Sequence, residues 1–161
     1  YDKLMNYRIN ILKEHGLGLK EIQETIAKID PMPGAKEFLD ELREITQVII
    51  ISDTFTQFAG PLMKKLGYPT IFCNSLEVAD DGEITGFKMR IENSELTTVK
   101  ALQSIGYDTI ASGDSHNDLG IIKASKTGFL FRRTDEIKKE YPELPAFETY
   151  DELMAAIKEA L

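Results

Sequence analysis

Hydrophobic and polar positions divide the chain into two parts of different character. Over the first 33 residues apolar side chains recur at helical spacing, as at Met5, Ile9 and Leu12. From Gln47 onward, β-branched runs alternate with further helical patterns. Helices are predicted over Tyr1–His15, Leu19–Ile29, Ala35–Ile45, Thr54–Leu66, Glu95–Ile105, Asn117–Ala124, Asp135–Glu140 and Tyr150–Leu161, and strands over Gln47–Ile51, Thr70–Cys73, Leu76–Val78, Ile84–Met89, Thr109–Ala111 and Gly128–Phe131.

Strands that alternate with helices are typical of a parallel sheet covered by helices on both faces. We therefore predict an α/β fold. The first two helices, which end before the break at Pro31–Gly34, are expected to form a small helical unit. Gly82 lies between two strand-like runs and predicts the turn of a β-hairpin.

Composition narrows the classes of partner. The 161 residues include 19 basic and 27 acidic side chains, for a net charge of −8. No basic run is present, so we expect no nucleic-acid partner. No apolar run approaches the roughly 18 residues that span a bilayer, so we expect no membrane partner either. The single cysteine, Cys73, is interpreted as a packing residue in a reducing compartment, which predicts a cytoplasmic protein.

Candidate chemistry is concentrated where a glycine ends the predicted strand Thr109–Ala111. Asp114, Asn117 and Asp118 follow at a spacing that lets both carboxylates face one point. These oxygen donors suit a hard divalent cation that holds a phosphate. The alternative is structural: Asp114 or Ser115 caps the following helix, and Asp118 complements the dipole of its first turn.

A second polar loop, Ser52-Asp53-Thr54-Phe55, follows the predicted strand Gln47–Ile51. Ligands of doubly wound sheets bind at the carboxyl ends of the strands, so this loop is also expected to be functional. A hydroxyl followed by free N–H groups at a helix N-terminus can hold a phosphate. The structural alternative is an N-cap by Ser52, Asp53 or Thr54.

One predicted strand ends in Ser52-Asp-Thr-Phe and the other in Gly-Asp114-Ser-His-Asn-Asp. Together these two loops resemble motifs two and four of the haloacid dehalogenase (HAD) superfamily. Asn6-Tyr-Arg8 resembles the family's cap helix and Pro33-Gly-Ala the return from cap to core. More narrowly, the chain resembles the phosphoserine phosphatase group, including its bacterial members that transfer the phosphoryl group to homoserine. Residues 1–33 would then be the C-terminal part of a helical cap, and residues 34–161 a Rossmann-like core without its first strand.

The resemblance implies Mg²⁺-dependent phosphoryl transfer from a small phosphorylated amino acid such as phosphoserine, through an aspartyl-phosphate. Such an enzyme would serve serine or threonine biosynthesis and form a homodimer. Hydrolysis and transfer to homoserine both stay open. Carried over by position, Ser52 and Asn117 are the catalytic residues that contact the phosphate, Asp53 belongs to the substrate-binding loop, Arg8 binds the substrate carboxylate, and Asp114 and Asp118 hold the metal or its waters. For Arg8 the alternative is an ordinary cation on a helix surface.

Two departures from the family pattern limit this expectation. The nucleophile motif, Asp-x-Asp or Asp-x-Glu after an apolar strand, has no equivalent here, so we expect it upstream of Tyr1. We expect the 161-residue chain to be inactive without it. The strand that carries it would be missing from the middle of the sheet, where its loss exposes unpaired edges. The family's third motif is a lysine where this chain has Glu95, and Lys100 faces another side of the same helix. A non-catalytic HAD-fold protein that binds a phosphometabolite or a partner is therefore the alternative.

Overall fold

Eight α-helices and six strands make up the protein, whose computed structural model describes residues 1–161. The chain forms two compact units, Tyr1–Arg90 and Ile91–Leu161. The helices are α1 (Asp2–Glu14), α2 (Leu19–Ile26), α3 (Ala35–Ile45), α4 (Thr56–Lys65), α5 (Ser94–Ser104), α6 (Leu119–Ala124), α7 (Asp135–Glu140) and α8 (Tyr150–Ala160). The strands are β1 (Ile49–Phe55), β2 (Thr70–Val78), β3 (Ile84–Lys88), β4 (Ile110–Gly113), β5 (Thr127–Phe131) and β6 (Ala146–Phe147).

In the first unit, the sheet has the strand order β1-β2-β3. β1 and β2 run parallel, and β2 and β3 form the predicted antiparallel hairpin. β2 is one strand of nine residues where the pattern predicted two. Its first half pairs with β1 and its second half with β3, so hydrogen bonds to two different neighbours keep it extended throughout. β1 is an edge strand of this sheet.

The C-terminal end of β1 differs from the prediction, which ended the strand at Ile51. The strand continues to Phe55, with a shift of register before Phe55 pairs with Asn74. Asn74 also donates its Nδ2 to the carbonyl of Asp53 at 3.2 Å, so a residue 21 positions away holds this segment extended. The side-chain cap considered for α4 is not observed, because its N-cap is Phe55, which makes no side-chain cap bond.

The hydrophobic core of the first unit joins α1 to the sheet. Met5 and Ile9 lie one helical turn apart on α1, and both are buried. They belong to one cluster with Phe55 of β1, Leu76 of β2 and Ile84 of β3. Burial of these side chains is what fixes α1 on the hairpin, since the hydrophobic effect scales with the apolar area removed from water.

Polar contacts fix α2 to α4. Pro61 lies inside α4 and has no N–H to donate to the carbonyl of Gln57 four residues earlier. Gln23 of α2 donates its Nε2 to this carbonyl at 2.9 Å and so replaces the missing bond. Near the end of α4, the ammonium of Lys65 donates to two backbone carbonyls that follow α2, at 2.7 and 2.8 Å, and to Asp30 at 3.0 Å. The predicted division between residues 33 and 34 falls inside this unit and stays a prediction.

The second unit contains the parallel sheet β4-β5-β6, of which β4 is an edge strand. Leu130 of β5 is fully buried, and Ile137 of α7 nearly so. Helix α7 has the predicted bounds, and Thr134 caps it by accepting the N–H of Ile137 at 3.4 Å. The two-residue strand β6 was not predicted, because so short a segment is extended only through its pairing with β5.

Candidate functional site

A cavity of about 570 Å³ lies at the C-terminal end of β1 in the first unit. Arg8 and Asp53, both predicted to contact substrate, line it together. Ser52 is not among its lining residues; its hydroxyl accepts the N–H of Thr54 at 3.2 Å. Much of the remaining wall is apolar and includes Met5, Ile9, Leu12, Ile22, Phe55 and Phe58.

Charges of both signs act within this cavity. Tyr1 also lines it, and partial burial of the ring raises the pKa of its phenol. The carboxylate of Asp53 raises this pKa further, whereas the guanidinium of Arg8 lowers it. Asp53 and Arg8 both act on the phenol of Tyr1, so both lie near it. The cavity therefore combines one positive and one negative side chain with a largely apolar wall.

The wall of the cavity is supported by Asn74, a buried residue that the hydrophobic pattern did not single out. Asn74 is 1% exposed. Its Nδ2 donates to the carbonyl of Asp53 at 3.2 Å, and its Oδ1 accepts the N–H of Arg90 at 2.8 Å. The hydroxyl of Thr56 donates to the carbonyl of Asn74 at 3.1 Å. An asparagine that interrupts an apolar strand is the one signal by which the sequence could have indicated this role.

The carboxylate turn of the second unit follows β4. Its predicted helix begins as a 3-10 turn at His116–Asp118 and continues as α6. Oδ2 of Asp118 accepts the N–H groups of Asp114 and Ser115 at 3.0 and 2.9 Å, and the hydroxyl of Ser115 at 2.9 Å. The capping alternative is thus observed in part: Ser115 is the N-cap of the 3-10 turn and Asp118 accepts its N–H, whereas Ser115 makes no side-chain cap bond. The side chains of Asp114 and Asn117 are not part of this cap and are exposed to solvent.

Gly113 allows the tight approach of Asp118. A Cβ built on Gly113 would lie 2.5 Å from Oδ2 of Asp118 and would overlap its carboxylate carbon. The three predicted donors in the turn, Asp114, Asn117 and Asp118, all offer oxygen, and the cap uses only one carboxylate oxygen of Asp118. Such a donor set fits Mg²⁺, which takes oxygen ligands and usually only one or two carboxylates from the protein. The metal-binding roles stay predictions.

Glu95, at the position where the family pattern has a lysine, lies in the first turn of α5 and is half-buried. Lys100 on the same helix is exposed.

The one Asp-x-Glu sequence in the chain, Asp81-Gly-Glu83, lies in the turn of the β2–β3 hairpin, where the carboxylate of Asp81 accepts the N–H of Glu83 at 2.9 Å. It therefore serves as the turn between two antiparallel strands.

Comparison with known proteins decides the family. The profile of haloacid dehalogenase-like hydrolases matches residues 12–123. The chain belongs to this family. It is 44% identical over 153 residues to the phosphoserine phosphatase ThrH of Pseudomonas aeruginosa, which covers 95% of this chain and 75% of that protein. A phosphoserine phosphatase of Pseudomonas syringae pv. tomato is 42% identical over 153 residues, or 95% of this chain and 65% of that protein.

The fold agrees with this assignment. The solved structure of a substrate-bound phosphoserine phosphatase complex superposes with a TM-score of 0.70 at 26% identity, over 89% of this chain and 70% of that chain. The predicted family resemblance and the Rossmann-like α/β fold class are therefore confirmed. The chain spans between 65% and 75% of the length of these two curated relatives. None of its helices combines the length and apolar character that crossing a membrane requires.

Proposed function

We propose that the protein transfers the phosphoryl group of a small phosphorylated amino acid, with phosphoserine as the first candidate. The observation that carries this proposal is that Arg8 and Asp53 line one cavity. A guanidinium pairs well with a substrate carboxylate, and an aspartate with a substrate ammonium, so together they match the two charges of an amino acid. The names of the two Pseudomonas relatives support the same substrate class.

The groups proposed to contact phosphate lie in or directly after β1 in the first unit and after β4 in the second. Helix α4 follows β1 without a side-chain cap, which leaves N–H groups of its first turn available to a phosphate. Ser52 and Asn117 are proposed to donate to phosphate oxygens, and Asp114 and Asp118 to hold Mg²⁺ or its waters. When bound, Mg²⁺ would offset the negative charge that phosphoryl transfer must accommodate.

For the nucleophile, we propose an aspartate in an Asp-x-Asp or Asp-x-Glu motif upstream of Tyr1. Its carboxylate oxygen would attack phosphorus, the second acidic residue of the motif would protonate the departing serine oxygen, and an aspartyl-phosphate would form. Attack by water would then release inorganic phosphate, whereas attack by the hydroxyl of homoserine would give phosphohomoserine. Which acceptor is used depends on whether water is excluded from the site.

Phosphate release from phosphoserine, followed with malachite green in the presence of Mg²⁺, tests the proposal. The complete reading frame should turn over phosphoserine, and the 161-residue chain should not. Within the complete protein, Arg8→Gln should raise KM roughly 10- to 100-fold through loss of a charge-assisted bond. Lys3→Gln removes an exposed cation from the same helix and should leave KM unchanged. Because transfer to homoserine releases no phosphate, phosphohomoserine is followed separately by phosphorus NMR. The enzyme is ruled out if the complete protein neither releases phosphate nor, with added homoserine, forms phosphohomoserine.

The position of Glu95 favours a second candidate, a non-catalytic HAD-fold protein that binds a phosphometabolite. Glu95 is half-buried, and at a position where the family supplies a cation its carboxylate would repel phosphate instead of attracting it. Under this alternative, calorimetry on the complete protein would detect phosphoserine binding while no phosphate is released. The variant Glu95→Lys distinguishes the enzyme from the binding protein. It should raise the turnover of an enzyme that Glu95 slows, but it cannot create turnover in a binding protein that lacks a nucleophile.

A further inference from the structure

One histidine and two glutamates meet on the surface of the second unit. His116 lies in the 3-10 turn after β4, and Glu136 and Glu140 lie on α7. One ligand atom from each residue lies within 4.8 Å of the others. The Nε2 of His116 and the Oε2 of Glu140 are 2.9 Å apart. We propose that these three side chains form a binding site for a divalent transition-metal ion of the Zn²⁺ type.

The positions of the two glutamates on α7 suit a shared metal ion. Glu136 and Glu140 are four residues apart on α7, so they project from the same face of the helix one turn apart. A tetrahedral zinc ion holds nitrogen and oxygen ligands at about 2.0–2.1 Å, which puts those ligand atoms roughly 3.3 Å from one another. The His116–Glu140 pair is hydrogen-bonded at 2.9 Å, so a bound ion would take the place of the shared proton and separate the two atoms by a few tenths of an ångström. The three ligand atoms lie within 4.8 Å of one another and would draw together around the ion.

The chemistry of the three ligands selects the class of ion. Two carboxylates and one imidazole leave a fourth position for water, as in open zinc sites. The imidazole distinguishes this cluster from the oxygen-only donors proposed for Mg²⁺ in the preceding turn, because hard cations take oxygen ligands. A divalent ion would also offset the repulsion between two carboxylates at this helical spacing.

Occupancy of this site would have a structural consequence. His116 lies two residues from both Asp114 and Asp118, so an ion bound to it and to α7 would tie the carboxylate turn to that helix. This site does not depend on the proposed phosphoryl transfer, since none of its three ligands is assigned to that reaction.

Titration of the 161-residue chain with Zn²⁺ in saturating Mg²⁺, followed by calorimetry and by competition with a chromogenic chelator, tests the proposal. One Zn²⁺ should bind, and His116→Gln and Glu140→Gln should each weaken the affinity roughly tenfold or more. His15→Gln is the matched control, because His15 is the other histidine of the chain and is also exposed. Asp114→Asn should leave Zn²⁺ binding unchanged, which separates this site from the proposed Mg²⁺ site.

Substitution of Co²⁺ for Zn²⁺ gives an independent readout, since its visible absorption reports a low-symmetry site and should disappear in His116→Gln. Far-UV circular dichroism checks that each variant is folded. The proposal is overturned if the chain binds no Zn²⁺, if His116→Gln and Glu140→Gln bind it as the unchanged chain does, or if only Asp114→Asn abolishes binding.

Discussion

Asn74 offers the sharpest test of how the cavity wall in the first unit is held. The variant Asn74→Ala removes the donor to the carbonyl of Asp53 and the acceptor of the Arg90 N–H, in a position that is 1% exposed. A buried group that loses its hydrogen-bond partner costs about 1–3 kcal/mol. With two such bonds broken, we expect the free energy of unfolding to fall by roughly 2–4 kcal/mol, a large fraction of the 5–15 kcal/mol typical of a domain.

A second substitution at this position adds a dependence on pH. Asn74→Asp keeps the acceptor for Arg90 but replaces the donor to Asp53 with a carboxylate oxygen. Burial raises the pKa of such a carboxyl in the folded state above its unfolded value of about 4. Its neutral form can donate to the carbonyl of Asp53, so the variant should lie nearest to the unchanged chain below that pH and lose stability as the pH rises.

Reversible urea unfolding, followed by circular dichroism at pH 4 and pH 7, measures both effects. The control is Asn10→Ala, on the exposed face of α1, which should change the free energy of unfolding by less than about 0.5 kcal/mol. A loss below about 1 kcal/mol in Asn74→Ala, or equal losses in Asn74→Asp at both pH values, would refute the role assigned to this amide.

Three further predictions concern the carboxylate turn and the α2–α4 connection. Gly113→Ala should destabilise the protein by about 1–3 kcal/mol in thermal unfolding, because the added Cβ overlaps the carboxylate of Asp118; an unchanged melting temperature would contradict this. Asp114→Asn should weaken Mg²⁺ binding in calorimetry at least severalfold, and unchanged affinity would mean that the turn is only a helix cap. Lys65→Met removes three hydrogen bonds and should cost about 1–2 kcal/mol in urea unfolding, whereas Lys64→Met, at an exposed neighbouring position, should be close to neutral.

Prediction from sequence succeeded where local periodicity and local capping agree. Helix α3 has its predicted bounds because its apolar stripe lies between a glycine and a β-branched run. Helix α7 does so because Thr134 supplies a cap within three residues. The carboxylate turn was also located correctly, since a glycine after an apolar strand followed by acidic residues is a short-range signal.

Where the prediction was wrong or incomplete, the cause lies in contacts between residues distant in sequence. The pattern ended β1 at Ile51, but Asn74 of the neighbouring strand holds the chain extended as far as Phe55. The same strand pairing joined two predicted strands into β2. The meeting of Arg8 with Asp53 in one cavity requires α1 to pack on the hairpin through Met5 and other core side chains.

The sequence by itself determined the α/β class, the family and the identity of the oxygen donors in the carboxylate turn. Each of these depends on patterns among residues that are close together in the chain. Only the tertiary structure decided that Arg8 and Asp53 share a cavity and that His116 lies beside Glu140. Distances between side chains on different elements depend on how the elements pack, and packing follows from the summed burial of many residues instead of any local motif.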